Sequence, residues 1–252
     1  MLAYAGILFI GGDTLLECGE CPRPLILLGD VLMTTKIIFV RHGEAEGNFD
    51  RVFHGQTDSN LTEKGQKQAL KVAQRLRNEK IDVIYSSPLK RAYYTAKYIA
   101  QEKDIKDIIA DEGLMEINGG EWENVRWDDL PKKWPEEYNT WECSPHLHCM
   151  PTGESMKQAY DRIVNTVSNI VDANKERDIC IVTHGTVLRA LMCHILNKPW
   201  EDLITISWCD NTAITIVEFI DDSFKVILEG DNSHLENKLS TFATQDWWKK
   251  DK

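Results

Sequence analysis

From residue 36 onward, short runs of β-branched and apolar residues alternate with stretches whose apolar positions recur every three or four residues. The runs Lys36–Val40, Ile81–Ser86, Ile179–Thr183, Ile214–Phe219 and Lys225–Leu228 read as strands. The first three are continuously apolar, as expected of strands covered on both faces. Helical periodicity marks Thr62–Arg77, Leu89–Glu102, Ser155–Ala173 and Thr186–Leu196. Thr62 is placed to cap its helix, with Glu63 in the first turn and Ala69, Leu70, Ala73 and Leu76 as the apolar stripe. Such alternation implies crossover units and a three-layer α/β/α fold with a mostly parallel central sheet. No internal repeat is visible.

The segment from Glu121 to Met150 breaks the pattern. It carries Trp122, Trp127, Trp134 and Trp141, several Pro and many acidic residues. It is expected to leave the sheet and form a cap, spanning about 117–150, over the carboxyl edge where ligands of open sheets bind. Residues 1–32 differ as well. They are apolar and Gly- and Leu-rich, with Arg23 as their one basic residue, so no charged region precedes an apolar run as in a signal peptide. Their apolar pieces are too short to span a bilayer. Met33 stands just before the first strand, which suggests translation starting there, with 1–32 an uncertain extension and 33–252 the catalytic domain. Cys18 and Cys21 form a lone C-x-x-C with no second pair, which argues against zinc.

Composition narrows the function classes. The 252 residues carry a formal net charge of −11, which disfavours general nucleic-acid binding. The charge does not oppose a small anionic ligand, because a cleft lined by Arg and His still focuses positive potential. Seven Cys, with Cys180 and Cys193 inside apolar runs, read as thiols in a reducing compartment. With no signal and no membrane span, the cytoplasm is the expected location, and oligomeric state is left open.

Two expected strands end alike, in Arg41-His42-Gly43-Glu44 and in Thr183-His184-Gly185-Thr186. If both strands are parallel, both imidazoles lie at one sheet edge. Each Gly would let the backbone approach a ligand, and each following helix would offer free N–H groups to an anion. The third strand leads into Ser86-Ser87-Pro88-Leu89-Lys90-Arg91, with Pro88 in a first helical turn and Arg91 near that helix start. Two Arg and two His converging in this way suit a phosphoryl group, held by guanidinium forks and attacked by one imidazole. A leaving alkoxide needs a proton, and Glu116, with its pKa raised by burial, is the best candidate donor. Gln56 and Thr186 are candidates for substrate binding, with plain turn residues the alternative.

These pieces resemble the histidine phosphatase superfamily, which includes the cofactor-dependent phosphoglycerate mutases. The resemblance runs from about Lys36 to Leu235. It joins Arg41-His42-Gly43-Glu44, Asn48, Gly55-Gln56-Thr57-Asp58, Leu61-Thr62, Gly65, Ser86-Ser87-Pro88-Leu89, Arg91, Glu116, Gly120-Glu121-Trp122-Glu123, Pro151-Thr152-Gly153-Glu154-Ser155 and Thr183-His184-Gly185. It implies that His42 becomes phosphohistidine, that Arg41, Arg91, His184 and Asn48 bind the phosphoryl oxygens, and that Glu116 is acid and base. No metal or other cofactor is implied. In that scheme His184 is cationic and His42 neutral, giving a bell-shaped pH–rate profile. Two positions depart from the family pattern: Ala45 where Thr or Ser is usual, and Asn124 where Gly is common.

Only the 34 residues 117–150 separate Glu116 from Pro151, and Thr186-Val187 follows the second His-Gly. Both features favour hydrolysis of a small phosphorylated metabolite over mutase-type transfer. A non-catalytic phospho-ligand binding protein is the rival from another class, weakened by the presence of every central group. Cys143, His146, His148 and Cys149 cluster in sequence, but at no common metal spacing.

Overall fold

The computed structural model describes residues 34–245. The extension 1–32, the Met33 start and the Cys18/Cys21 pair lie outside the described residues. Among the described residues, six strands form one sheet: β1 (Thr35–Arg41), β2 (Val83–Ser86), β3 (Ile108–Ala110), β4 (Ile179–Thr183), β5 (Ile214–Ile220) and β6 (Ser223–Asp231). Their order is β3-β2-β4-β1-β5-β6. The first four strands in that order run parallel, and β5 and β6 are antiparallel additions on the far side of β1. The sheet is therefore mostly parallel, as the alternating pattern requires. β3 has no counterpart among the expected strands: it is a three-residue edge strand, exposed at Ile109. A piece so short leaves no apolar run to find.

The helices are α1 (Glu46–Asp50), α2 (Glu63–Arg75), α3 (Lys90–Glu102), α4 (Leu130–Lys133), α5 (Pro135–Cys143), α6 (Met156–Ala173), α7 (Gly185–Ile195) and α8 (Thr241–Thr244). Thr62 caps α2, accepting the Gly65 N–H at 3.0 Å. The expected stripe of α2 is wrong at one place. Leu70 is 45% exposed, whereas Gln68 is fully buried, its amide bridging the Glu44 N–H (2.7 Å) to the Leu239 carbonyl (2.6 Å). Ser155 and Gln158 form a capping box that starts α6.

Alternation along each strand divides the core. Ile38, Val40, Ile84, Cys180 and Val182 pack with residues of α2 and α3 on one face. Ile37, Phe39, Val83, Ile179 and Ile181 pack with α6, α7 and the cap on the other. The chain thus leaves β1 for one face and β4 for the opposite face, although β1 and β4 are neighbours. That divergence opens a crevice at their carboxyl ends, the switch point of an open sheet.

The segment 117–150 folds as 3-10 turns at Gly120–Trp122 and Pro145–Leu147 with α4 and α5 between them. Trp122 is fully buried at its centre, with ring centroids 5.7 Å from Phe53, 5.9 Å from Trp141 and 4.9 Å from His148. His148 belongs to this aromatic cluster, and Cys143 and Cys149 are exposed. Among the described residues, no three His, Cys, Asp or Glu side chains gather closely enough to share an ion. Nor, among them, is any helix long and apolar enough to cross a membrane.

Candidate active site

Arg41 at the end of β1 is in register with Thr183 at the end of β4, so the next residues, His42 and His184, leave the sheet side by side. The His42 N–H donates to the Thr183 carbonyl at 3.0 Å, and the two imidazole centroids are 5.1 Å apart. Nδ1 of His42 lies 2.7 Å from the Gly43 carbonyl. A carbonyl only accepts, so Nδ1 carries the proton and Nε2 keeps its lone pair. Burial, with the charges of Arg91 and Arg41, holds the His42 pKa well below 6.5. The ring is therefore neutral at pH 7.

Arg91 is the second residue of α3, whose start is held by Asp58 accepting the Lys90 N–H at 2.8 Å. Its guanidinium is almost wholly buried. It donates from Nη1 to the Thr57 carbonyl (2.8 Å), from Nη2 to the Gly55 carbonyl (2.7 Å), and from Nε to His42 Nε2 (3.3 Å). Burial lowers its pKa to about 10, leaving it cationic at neutral pH. Arg41 Nη1 donates to the Cys209 carbonyl at 2.6 Å, while its buried Nε lacks a partner. Gly185 admits that side chain, since a methyl there would stand 3.2 Å from Arg41 Nε.

Glu116 arrives from β3 through the 3-10 turn Glu112–Leu114. Its Oε1 accepts N–H groups of Ile117 (2.9 Å) and Val187 (3.2 Å), and its Oε2 accepts that of Thr186 (3.1 Å). The carboxyl is thus buried, as the partly desolvated cleft of the sequence expectation requires, and hydrogen-bonded at the start of α7. The N–H groups that α7 was expected to offer an exogenous anion are occupied by this side chain. Gly43 also differs from expectation. Its bare Cα faces the Gly65 carbonyl, which a methyl would approach to 2.6 Å, so it admits α2 and not a ligand.

His184 is corrected in its charge. It is fully buried beside His42, with Nε2 2.8 Å from Ser87 Oγ and Nδ1 without a partner. Burial and the cations Arg91 and Arg41 push its pKa well below 6.5, so it is neutral, not cationic. Gln56 is corrected too. Its amide donates to the Glu116 carbonyl at 3.0 Å and lies off the cavity wall, so it braces Glu116.

Arg41, His42, Asn48, Arg91, Glu116 and Thr186 do meet, around a cavity of about 280 Å³. Asn48 Oδ1 accepts the Ala45 N–H at 3.0 Å, a bond in the first turn of α1 that the missing hydroxyl at Ala45 leaves intact. Asn124 has φ of 61°, and its Nδ2 donates to Thr57 Oγ1 at 3.2 Å. Asn tolerates this left-handed conformation, which explains how it stands where Gly is common.

Sequence reasoning missed several neighbours. His54 lines the same cavity, and its ring packs on Gly47, where a methyl would come within 2.5 Å of Nδ1. Burial lowers its pKa to about 4. Its signal was its position directly before the Gly55–Asp58 motif. Asn211 Nδ2 donates to the His42 carbonyl at 2.9 Å, and nothing in its sequence surroundings marks it.

The buried histidines have a consequence for stability. Folded-state pKa values of His42, His54, His148, His184 and His234 are all depressed, mainly by burial. The unfolded chain therefore binds protons first as pH falls below 6.5, and stability present above that pH is lost toward pH 4. The urea midpoint is expected to be lower at pH 5 than at pH 7.5. An unchanged or higher midpoint at pH 5 would contradict this.

The chain's similarities agree with the site. The family model described as histidine phosphatase superfamily (branch 1) matches residues 37–232. Phosphoserine phosphatase 1 of Hydrogenobacter thermophilus is 33% identical over 194 residues, 77% of this chain and 90% of the relative. Phosphoglycerate mutase-like protein 4 of Arabidopsis thaliana is 33% identical over 204 residues, 80% of this chain and 87% of the relative. Among solved structures, YhfR of Bacillus stearothermophilus is 34% identical with a TM-score of 0.77, covering 80% of this chain and all of that one.

Proposed function

This chain belongs to the histidine phosphatase superfamily, and from that membership we propose that it hydrolyses small phosphomonoesters through a phosphohistidine at His42, without a metal. The observation that carries this reading is the fixed tautomer of His42, whose Nε2 lone pair accepts the Arg91 Nε–H in the free site and is released to phosphorus as that N–H turns to a phosphoryl oxygen. Nε2 attacks phosphorus, the N–P bond forms, and the ester P–O bond breaks. Glu116 gives the departing alkoxide its proton. Water then attacks the phosphohistidine, Glu116 takes a proton back, and orthophosphate leaves with His42 restored. Glu116 Oε2 suits this duty because one N–H engages it, against two on Oε1.

Arg41 and Arg91 supply the positive charge that a developing phosphoryl transition state requires. Asn48 adds polar contact at the same wall. His184 packs beside His42 with Nε2 on Ser87, and its Nδ1, which has no partner, is the nitrogen left to meet a phosphoryl oxygen. Thr186 lines the cavity next to Glu116.

Phosphate release from a panel of alkyl phosphates in excess EDTA tests the proposal. Undiminished release is expected, and loss on chelation would overturn the metal-free route. If the panel is inert but phosphoglycerates interconvert once a bisphosphate primes the enzyme, the chain is a mutase. If neither occurs, it binds phosphorylated ligands without turnover.

A further inference from the structure

The cavity extends past the groups that handle phosphorus, and its outer wall is aromatic. Phe53, Trp127, Trp141 and Trp208 all line it. Their rings form a connected series, with centroids 5.2 Å apart for Phe53 and Trp127, 6.0 Å for Trp127 and Trp141, and 6.3 Å for Trp141 and Trp208. Tyr138 from α5 and Phe242 from α8 complete it. Trp208 is 41% exposed. Arg189 stacks over it at 4.8 Å from its centroid, and the Arg189 Nε donates to the Ile206 carbonyl at 2.7 Å, which steadies the pair.

The charged groups of this outer part are matched to one another. Arg51 faces Asp128 at 3.7 Å. The Glu142 carboxylate acts on both Tyr138 and Arg189, adding to burial in raising the Tyr138 pKa and opposing the fall that burial imposes on Arg189. A carboxylate entering here would meet Asp128 and Glu142; the cation on this wall, Arg51, pairs with Asp128 through Nη2 at 3.7 Å, while its buried Nε has no partner. A flat ring would instead pack against the exposed part of Trp208 and displace water from it.

We infer that the leaving group this site selects is an uncharged aromatic alcohol, so the preferred substrate is an aryl-bearing phosphomonoester and not a phosphorylated amino acid or glycerate. The inference rests on the phosphatase reading, and it departs from the substrate that the phosphoserine phosphatase relative is named for. A three-carbon acid would leave the exposed part of Trp208 uncovered.

The test compares primary alkyl esters, so that alkoxide basicity changes little across the set. 2-Phenylethyl phosphate, ethyl phosphate, phosphoserine and 3-phosphoglycerate are assayed with the full chain. We expect kcat/KM for the phenylethyl ester to exceed each of the others at least tenfold, and Trp208→Ala to cut that preference threefold or more. Faster turnover of phosphoserine or 3-phosphoglycerate overturns the inference, as does a preference that Trp208→Ala leaves unchanged. Binding of 2-phenylethylphosphonate and ethylphosphonate, followed by tryptophan fluorescence, separates this from failure of the phosphatase reading. Tighter binding of the phenylethyl compound without any turnover would sink hydrolysis and keep the aromatic selectivity. Equal affinity of the two phosphonates sinks the selectivity.

Discussion

His42→Ala is expected to release phosphate at least on the order of 10⁴-fold more slowly than the wild type, because the step it removes has no substitute in the cavity. His42 is the imidazole whose protonated nitrogen is tied to a backbone carbonyl and whose bare nitrogen faces a guanidinium. His184 is fully buried beside it and engaged with Ser87. His54 lies at the wall but lacks a hydrogen bond to fix which nitrogen is bare. The fold should survive, since Arg91 keeps its two loop carbonyls and the variant removes a ring that is costly to protonate. Rapid acid-free quenching after reaction with radiolabelled ester should trap a base-stable, acid-labile phosphoenzyme in the wild type and none in the variant. If the variant retains more than about one hundredth of the rate, a second nucleophile is at work, and His54 is the first to examine.

The parts of this site that could be read in the sequence are those carried by strong local signals. β1, β2 and β4 are unbroken apolar runs, and parallel neighbours must end at one edge, so Arg41, His42 and His184 fell together in the reading as they do in the fold. Arg91 was legible because the helix after β2 begins at that same edge. What local patterns do not encode is which polar groups find each other. Glu116 reaches the site through β3, a strand of three half-exposed residues, and its partners are the N–H groups of α7, some 70 residues away. The charge on His184 depended on its total burial, and a His-Gly turn does not reveal depth. For Gln56 the sequence left a substrate contact and a plain turn residue open, and the structure shows its amide N–H on the backbone of Glu116. The cap was recognised as an excursion from its Trp and Pro content, yet short helices held mainly by ring packing carry little periodicity.

Arg91→Ala should produce the second large loss, and it should differ from His42→Ala in costing stability as well as rate. A guanidinium has five N–H groups. Two of them engage Gly55 and Thr57 throughout, and the one on His42 Nε2 in the free site is released when that nitrogen attacks phosphorus, so five less two leaves three that can face phosphoryl oxygens. Removing the side chain takes away that cation, worth on the order of 10³-fold in kcat/KM. It also leaves two loop carbonyls without donors in a buried place, costing about 2–4 kcal/mol. Arg91→Lys separates the two contributions. An ammonium restores the charge but cannot span the Gly55 and Thr57 carbonyls while facing His42. The Lys variant is expected to recover less than a tenth of wild-type kcat/KM and to unfold earlier in urea. Near wild-type kinetics for Arg91→Lys would mean that positive charge alone suffices, and the fork geometry would then be irrelevant to catalysis. Such a result would also mean that the Gly55 and Thr57 carbonyls, which hold this side chain in place, serve stability and not catalysis.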